Sequence, residues 1–263
     1  MSSSLRVDKA APSLQHFESD GADLAYLDAG AGDPVLLIHG FGANALQNWV
    51  ELGWADRLIA EGRRVVAIDN RGHGQSEKLY ESRAYSLPGL AEDARRLLDH
   101  LGIGRADILG YSMGARIAAL LSVAHPHRVR SLVLGGMGRN LFAGLPPAHD
   151  LADDLEAARL DQAKTEDGRM FRAFAERTQG DLAALAACMR AAREPVDSEA
   201  FSRLSIPVLV AIGTRDTLAG PLAEMASCLP EAELFDIHGR SHMGAVADPT
   251  FMARVADFLA KRP

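Results

Sequence analysis

The chain has 263 residues, enough for one large domain or one domain carrying an insertion. Apolar residues make up 48% and charged residues 24%, an ordinary globular composition with ample core material. The net charge of −7 offers no basic patch for nucleic acid and does not match a binder of anionic membranes.

No apolar run approaches the roughly 18 residues of a membrane span. The opening segment, Met1 to Lys9, lacks the apolar stretch of a secretory signal, so the cytoplasm is the expected location. The two cysteines, Cys188 and Cys228, lie in apolar, helical surroundings. Buried free thiols are the expected state, with a disulfide as the alternative.

Residues 1–12 read as a loose leader, polar with Ala and Pro. Short apolar strands then alternate with helical patterns. Strands are predicted over Asp23–Asp28, Val35–His39 and Val65–Ile68. A helix over Leu87–Leu101 follows from Leu90, Ala94, Leu97, Leu98 and Leu101, with Gly102 as its stop. Next come a strand (Ala106–Leu109), a helix (Met113–Ala124) and a strand (Val129–Leu134). Continuous β-branched runs between helices predict a parallel sheet covered on both faces, with right-handed crossovers.

From about residue 138 to 204 the alternation stops. Gly144, Pro146 and Pro147 mark the entrance, and Leu151–Leu160, Arg169–Arg177 and Leu182–Arg193 read as helices. The rhythm resumes with a strand at Pro207–Ile212, a helix near Pro221–Cys228, a strand at Glu233–Ile237 and a helix at Pro249–Lys261. The expected organisation is an α/β core, 13–137 and 205–263, interrupted by a helical insertion over 138–204.

Gly110-Tyr111-Ser112-Met113-Gly114 directly follows a predicted strand and opens a predicted helix. A serine at so sharp a turn is held above the carboxyl edge of the sheet, and glycines on either side remove side chains that would clash. The helix N-terminus beneath it favours an anion. Ser112 is therefore the candidate nucleophile.

A serine hydroxyl needs a base, and histidine suits that role near neutral pH. His16, His100, His125, His127 and His149 occupy leader, helix-end or insertion-entry positions and read as solvated or capping residues. His39 ends a buried strand. His73 lies in the glycine-rich turn Asp69-Asn70-Arg71-Gly72-His73-Gly74-Gln75-Ser76, which reads as structural. His238 follows the last strand too closely to reach far. His242, in Gly239-Arg240-Ser241-His242-Met243-Gly244, can hang over the sheet edge and is the candidate base. The base in turn needs a carboxylate. Asp216, just past the strand Pro207–Ile212, is the candidate; Asp236 and Asp248 are weaker rivals, one within a strand and one placed to cap the last helix.

Acyl transfer places negative charge on a carbonyl oxygen, which two backbone amides can hold. The expected donors are the N–H groups of Met113 and of Phe41, the latter in His39-Gly40-Phe41-Gly42. The side chains of Phe41, Tyr111 and Met113 either line the substrate pocket or pack beside the turn.

Together these segments and Gly213-Thr214-Arg215-Asp216 resemble the α/β-hydrolase superfamily over nearly the whole chain outside the leader. The chain order Ser112, Asp216, His242 is that of the family. The resemblance implies a mostly parallel, roughly eight-stranded sheet with a helical cap inserted after the sixth strand. It implies no cofactor. Consistent with this, the sequence carries no metal-ligand spacing and no Gly-x-Gly-x-x-Gly after a strand.

The expected function is hydrolysis of a carboxylic ester or lactone through a serine acyl-enzyme, most like small bacterial carboxylesterases and enol-lactonase-like enzymes. The alternatives are C–C bond hydrolysis of a diketone-like acid, haloperoxidase-like or acyltransferase activity, and a non-catalytic binding module. Relatives with an aspartate nucleophile are excluded by Ser112. The expected partner is a small ester-type molecule, with neither nucleic acid nor membrane; the sequence leaves the oligomeric state open. The insertion's aromatics, Phe142, Phe171, Phe174 and Phe201, predict a modest pocket. Arg139, Arg169 and Arg172 either meet an acidic substrate or form a solvated face.

Overall fold

A computed structural model describes residues 13–143, 148–191 and 194–261. The leader 1–12, the Gly144–Pro147 entrance and Arg193 lie outside them. Eight strands are found among the described residues: β1 (Gln15–Ser19), β2 (Ala22–Gly30), β3 (Asp33–Ile38), β4 (Arg63–Ile68), β5 (Ala106–Tyr111), β6 (Val129–Gly135), β7 (Val208–Gly213) and β8 (Glu233–Ile237). They form one sheet in the order β1-β2-β4-β3-β5-β6-β7-β8. Pairing is parallel from β4 through to β8, and β2 runs antiparallel to both its neighbours. The sheet is thus mostly parallel, as the sequence predicts.

The helices are α1 (Trp54–Ala60), α2 (Leu87–His100), α3 (Met113–Ala124), α4 (His149–Glu156), α5 (Glu166–Arg177), α6 (Leu182–Arg190), α7 (Ser198–Ser202), α8 (Met225–Cys228), α9 (His242–Ala245) and α10 (Pro249–Lys261). Side chains alternate across the strands, so each strand feeds two cores. Leu36, Ile38, Ile108, Leu132 and Leu134 face one side, against Leu90 and Leu97 of α2 and Ile117 and Leu121 of α3. Val35, Leu37, Leu109, Val133 and Leu209 face the other, against Trp54 and Leu58 of α1 and Phe251, Val255 and Phe258 of α10. Burial on both faces explains the continuous apolar runs of the central strands.

Helices α4 to α7 lie between β6 and β7, and we propose that residues 138–204 act as a cap. Ala152, Leu155, Ala175, Leu185, Ala186 and Met189 give it a small core of its own. Its root is pinned to the sheet domain. Arg116 of α3, 2% exposed, donates to the carbonyls of Asn140, Leu141 and Ala143.

Several predicted elements differ. The helix read over Leu151–Leu160 stops at Glu156, because Arg172 Nη1 takes the carbonyls of Leu155 and Ala157 at 2.7 and 2.6 Å. The helix read to Arg193 ends at Arg190, ahead of Pro195. The helix read from Pro221 begins only at Met225. Ahead of it the chain's polar groups are engaged elsewhere: the Leu218 and Ala219 amides on Asp216, and their carbonyls on Asn140 and Gly138. The sequence pattern does not predict strand β1 or helices α1 and α7. Cys188 is buried as expected, whereas Cys228 is partly exposed beside Arg139; neither is held in a disulfide.

Candidate active site

Strand β5 ends at Tyr111 and α3 starts at Met113, leaving a single residue for the reversal. Ser112 takes φ 55° and ψ −113°, a backbone conformation sparsely populated by non-glycine residues. It is held there by hydrogen bonds on both sides: its N–H reaches the Gly135 carbonyl at 2.8 Å, and its carbonyl accepts from Ala115 and Arg116. The turn also needs bare neighbours. A Cβ on Gly114 would lie 2.0 Å from the Ile38 carbonyl oxygen, and one on Gly110 would lie 2.2 Å from that of Gly114.

The structure brings Ser112, His242 and Asp216 together. His242 sits at the first residue of α9, where the sequence predicts a plain loop. The Ser112 hydroxyl lies 2.9 Å from its Nε2, and its Nδ1 lies 2.8 Å from Asp216 Oδ2. With Nδ1–H donating to the carboxylate, Nε2 is left free to accept the serine proton. The other Asp216 oxygen accepts the amides of Leu218 and Ala219 at 2.8 and 3.0 Å. Burial pushes the Asp216 carboxyl upward. The hydrogen bond and charge of His242 and these two amides outweigh that and hold it below the usual carboxylate range. Asp236 is exposed, and Asp248 receives the Thr250 amide at the head of α10, so neither rival joins the group.

The loop after β3 lies directly against the serine. A Cβ on Gly40 would meet the Tyr111 carbonyl oxygen at 3.3 Å and Ser112 Cβ at 3.4 Å. The amides of Phe41 and Met113 donate to no acceptor among the described residues. Met113 is the first residue of α3, where an N–H has no partner within the helix.

The turn after β4 holds this loop in place. His39 is fully buried; its Nδ1–H donates to the Gly40 carbonyl at 2.7 Å and its Nε2 accepts the Asn70 amide at 3.0 Å. Burial lowers its pKa to about 4, so the ring is neutral at pH 7. His73 donates to the Arg71 carbonyl and is lowered to about 3, chiefly by burial and then by His39. Asp69 accepts the amides of Ala45 and Gln75, and Arg71 is bidentate on buried Asp93.

A cavity of about 350 Å³ opens above Ser112 and His242. Phe41, Tyr111, Leu52, Phe171, Phe174, Met243 and Val246 form its apolar lining. Tyr111 is nearly buried and donates its hydroxyl to the His242 backbone carbonyl, so it also braces the histidine's backbone. Met113 corrects the expectation for its side chain: it turns into the core beneath α3, among Ala115 and Ile117, and does not line the cavity. Helix α5 closes the cavity from the cap. Phe171 meets Phe41 edge to face at 5.6 Å, and Thr178 Oγ1 donates to the Gly42 carbonyl at 2.8 Å. Phe142 and Phe201 pack on each other elsewhere.

The three arginines singled out in the sequence are otherwise engaged. Arg172 is buried on Glu176 and two carbonyls, Arg169 holds the Ala163 and Lys164 carbonyls, and Arg139 faces Glu224. No group of three His, Cys, Asp or Glu side chains among the described residues could hold a metal ion. No described helix is long and apolar enough to cross a membrane.

A family model described as the alpha/beta hydrolase fold matches residues 33–188, more than half of the chain. The chain belongs to the α/β-hydrolase family. An uncharacterized protein of Mycobacterium tuberculosis is 30% identical to this chain over 97% of the chain and 82% of its own length. A 2-hydroxymuconate semialdehyde hydrolase of Pseudomonas sp. (strain CF600) is 41% identical over 115 residues, which cover 41% of this chain and only 38% of that relative. Among solved structures, Est816, described as an N-acyl homoserine lactone degrading enzyme, is 26% identical. It superposes with a TM-score of 0.73 over 92% of this chain and 99% of its own.

Proposed function

We propose that this hydrolase cleaves a carboxylic ester or lactone through an acyl-enzyme on Ser112. The reading rests on one observation: the unbroken hydrogen-bond relay from the Ser112 hydroxyl through His242 to Asp216, facing a cavity beside two unengaged amides.

In the first half-reaction Ser112 Oγ attacks the carbonyl carbon while His242 Nε2 takes its proton. The charge that develops on the carbonyl oxygen is met by the Phe41 and Met113 amides, donors whose removal singly costs about 3–4 kcal/mol in comparable sites. The C–O bond to the alcohol then breaks, and His242 returns the proton to the leaving oxygen. Water enters as the second nucleophile and gives its proton to His242; the acyl C–Oγ bond then breaks, and His242 returns that proton to Ser112 Oγ, releasing the acid and the free serine. Asp216 stays ionised throughout, holding the Nδ1–H tautomer and stabilising the imidazolium. The lactone-degrading structural neighbour supports including cyclic esters.

A second reading is C–C bond hydrolysis of a diketone-like acid, favoured by the partial match to the semialdehyde hydrolase. The two separate in one experiment. Wild type and Ser112→Ala are assayed on short-chain p-nitrophenyl esters, on a lactone, and on a vinylogous 1,5-diketone acid followed by its absorbance. Ester or lactone turnover lost in the variant supports the first reading. Turnover of the diketone alone replaces it with the second. Failure of a fluorophosphonate probe to label Ser112 overturns both.

A further inference from the structure

The cavity above Ser112 is lined by both apolar and polar side chains, and its polar end lies where the segment from Gln47 to Glu51 meets the end of α5, Gln47 Nε2 donating to the Thr178 carbonyl at 3.1 Å. Its apolar lining gives way to Gln47, Asn48, Glu51, Arg177 and Thr178. Arg177 is the last residue of α5, and its guanidinium carbon stands 5.1 Å from the centroid of the Phe174 ring. A guanidinium resting on a ring keeps its in-plane N–H donors directed outward. Those donors meet no carboxylate and no carbonyl among the described residues. The other described cap arginines, 139, 159, 169, 172, 190 and 203, each hold one or more.

A second polar group at this end is also unanswered. Asn48 is 7% exposed, and its Nδ2 reaches no acceptor among the described residues. Arg177 is exposed, and an acidic protein that leaves such a cation unengaged on the lining of the same cavity as Ser112 has a site suited to an anion.

We infer that this end receives a carboxylate, with Arg177 as its anchor. The substrate is then an ester or lactone carrying an acid group away from the scissile carbonyl. This rests on the ester or lactone reading above. Glu51, exposed and also lining the cavity, forms no ion pair with Arg177 among the described residues; its charge opposes the anion.

The test compares matched esters. Phenyl hydrogen glutarate against phenyl pentanoate places the acid on the acyl side. 4-Acetoxybenzoate against 4-methylphenyl acetate places it on the leaving side. For at least one pair, Arg177→Gln is expected to lower the anionic-to-neutral ratio of kcat/KM by about tenfold or more, as for loss of an arginine–carboxylate pair. Arg177→Lys should recover part of the ratio, and Glu51→Gln should raise it. Neither ratio moving beyond twofold in Arg177→Gln overturns the inference, as does a fall in Glu51→Gln. If wild type cleaves none of the four esters, the ester or lactone reading is decided by the p-nitrophenyl ester and lactone assays above. The anchor is then judged by calorimetric titration of glutarate and 4-hydroxybenzoate. Weaker binding to Arg177→Gln than to wild type supports it, and equal binding overturns it.

Discussion

The floor and the roof of the same cavity are built on different terms. At the floor, Ser112, His242, Asp216 and the Gly40–Phe41 loop are fixed by backbone hydrogen bonds, by buried neutral imidazoles and by approaches that leave no room for a Cβ. The roof, contributed by α5, touches the floor through an edge-to-face ring contact and the Thr178 hydroxyl, and otherwise presents replaceable side chains. Groups that do chemistry must hold their geometry within fractions of an ångström, whereas groups that choose a substrate need only shape and charge. The contrast predicts that floor substitutions abolish turnover or folding and roof substitutions retune it.

The largest expected effect is at Ser112. Ser112→Ala should lower kcat on its best ester by at least ~10⁴-fold with the fold intact by circular dichroism. Asp216→Asn should cost roughly 10³–10⁴-fold, because the wrong imidazole tautomer is then held against the serine. Retention of more than a tenth of wild-type activity in either would break the contrast.

Gly114→Ala tests the floor's packing. Its Cβ would press on the Ile38 carbonyl backbone, so a loss of about 3 kcal/mol or more of stability is expected by urea unfolding. A change below 1 kcal/mol would show the floor to be deformable.

The buried histidines give a pH signature. Below pH 6.5 the unfolded chain takes up protons that folded His39 refuses until about pH 4 and His73 until about pH 3. Their contribution is therefore fully present above pH 6.5 and declines as pH falls, by roughly 2 kcal/mol each at pH 5. Urea midpoints at pH 7.5 and 5 should show the decline, and His39→Asn should shrink it. The smallest effect belongs to the roof: Thr178→Val removes one hydrogen bond to the Gly42 carbonyl. It should cost about 1 kcal/mol or less and change KM more than kcat.

The same contrast explains what could be read from the sequence. The central strands declare themselves because burial on both faces demands unbroken apolar runs, and the serine turn because only glycines fit around it. Those constraints are local, so β5, α3 and the Ser112 turn are legible. The dependence of the Gly40–Phe41 loop on Asn70 and His39 is a long-range contact between two strand ends, and no periodicity reports it. In the cap, helix ends are set by Arg172 capturing two carbonyls, a tertiary event that propensity does not anticipate. Arg177 differs from Arg172 by five positions and by nothing in composition; only the fold places one in a core and the other on a cavity.

Arg116 carries a practical consequence for recombination between relatives. It reaches from α3, the helix that Ser112 opens, to the carbonyls of residues 140, 141 and 143, so the first stretch after β6 packs with the sheet although it leads into the proposed cap. A cap exchanged at residue 138 would keep those bonds only where the incoming backbone sets three carbonyls in the same places, and would otherwise strand the buried Arg116 cation. A joint placed beyond Ala143 keeps them, and swaps selectivity without disturbing the engine beneath.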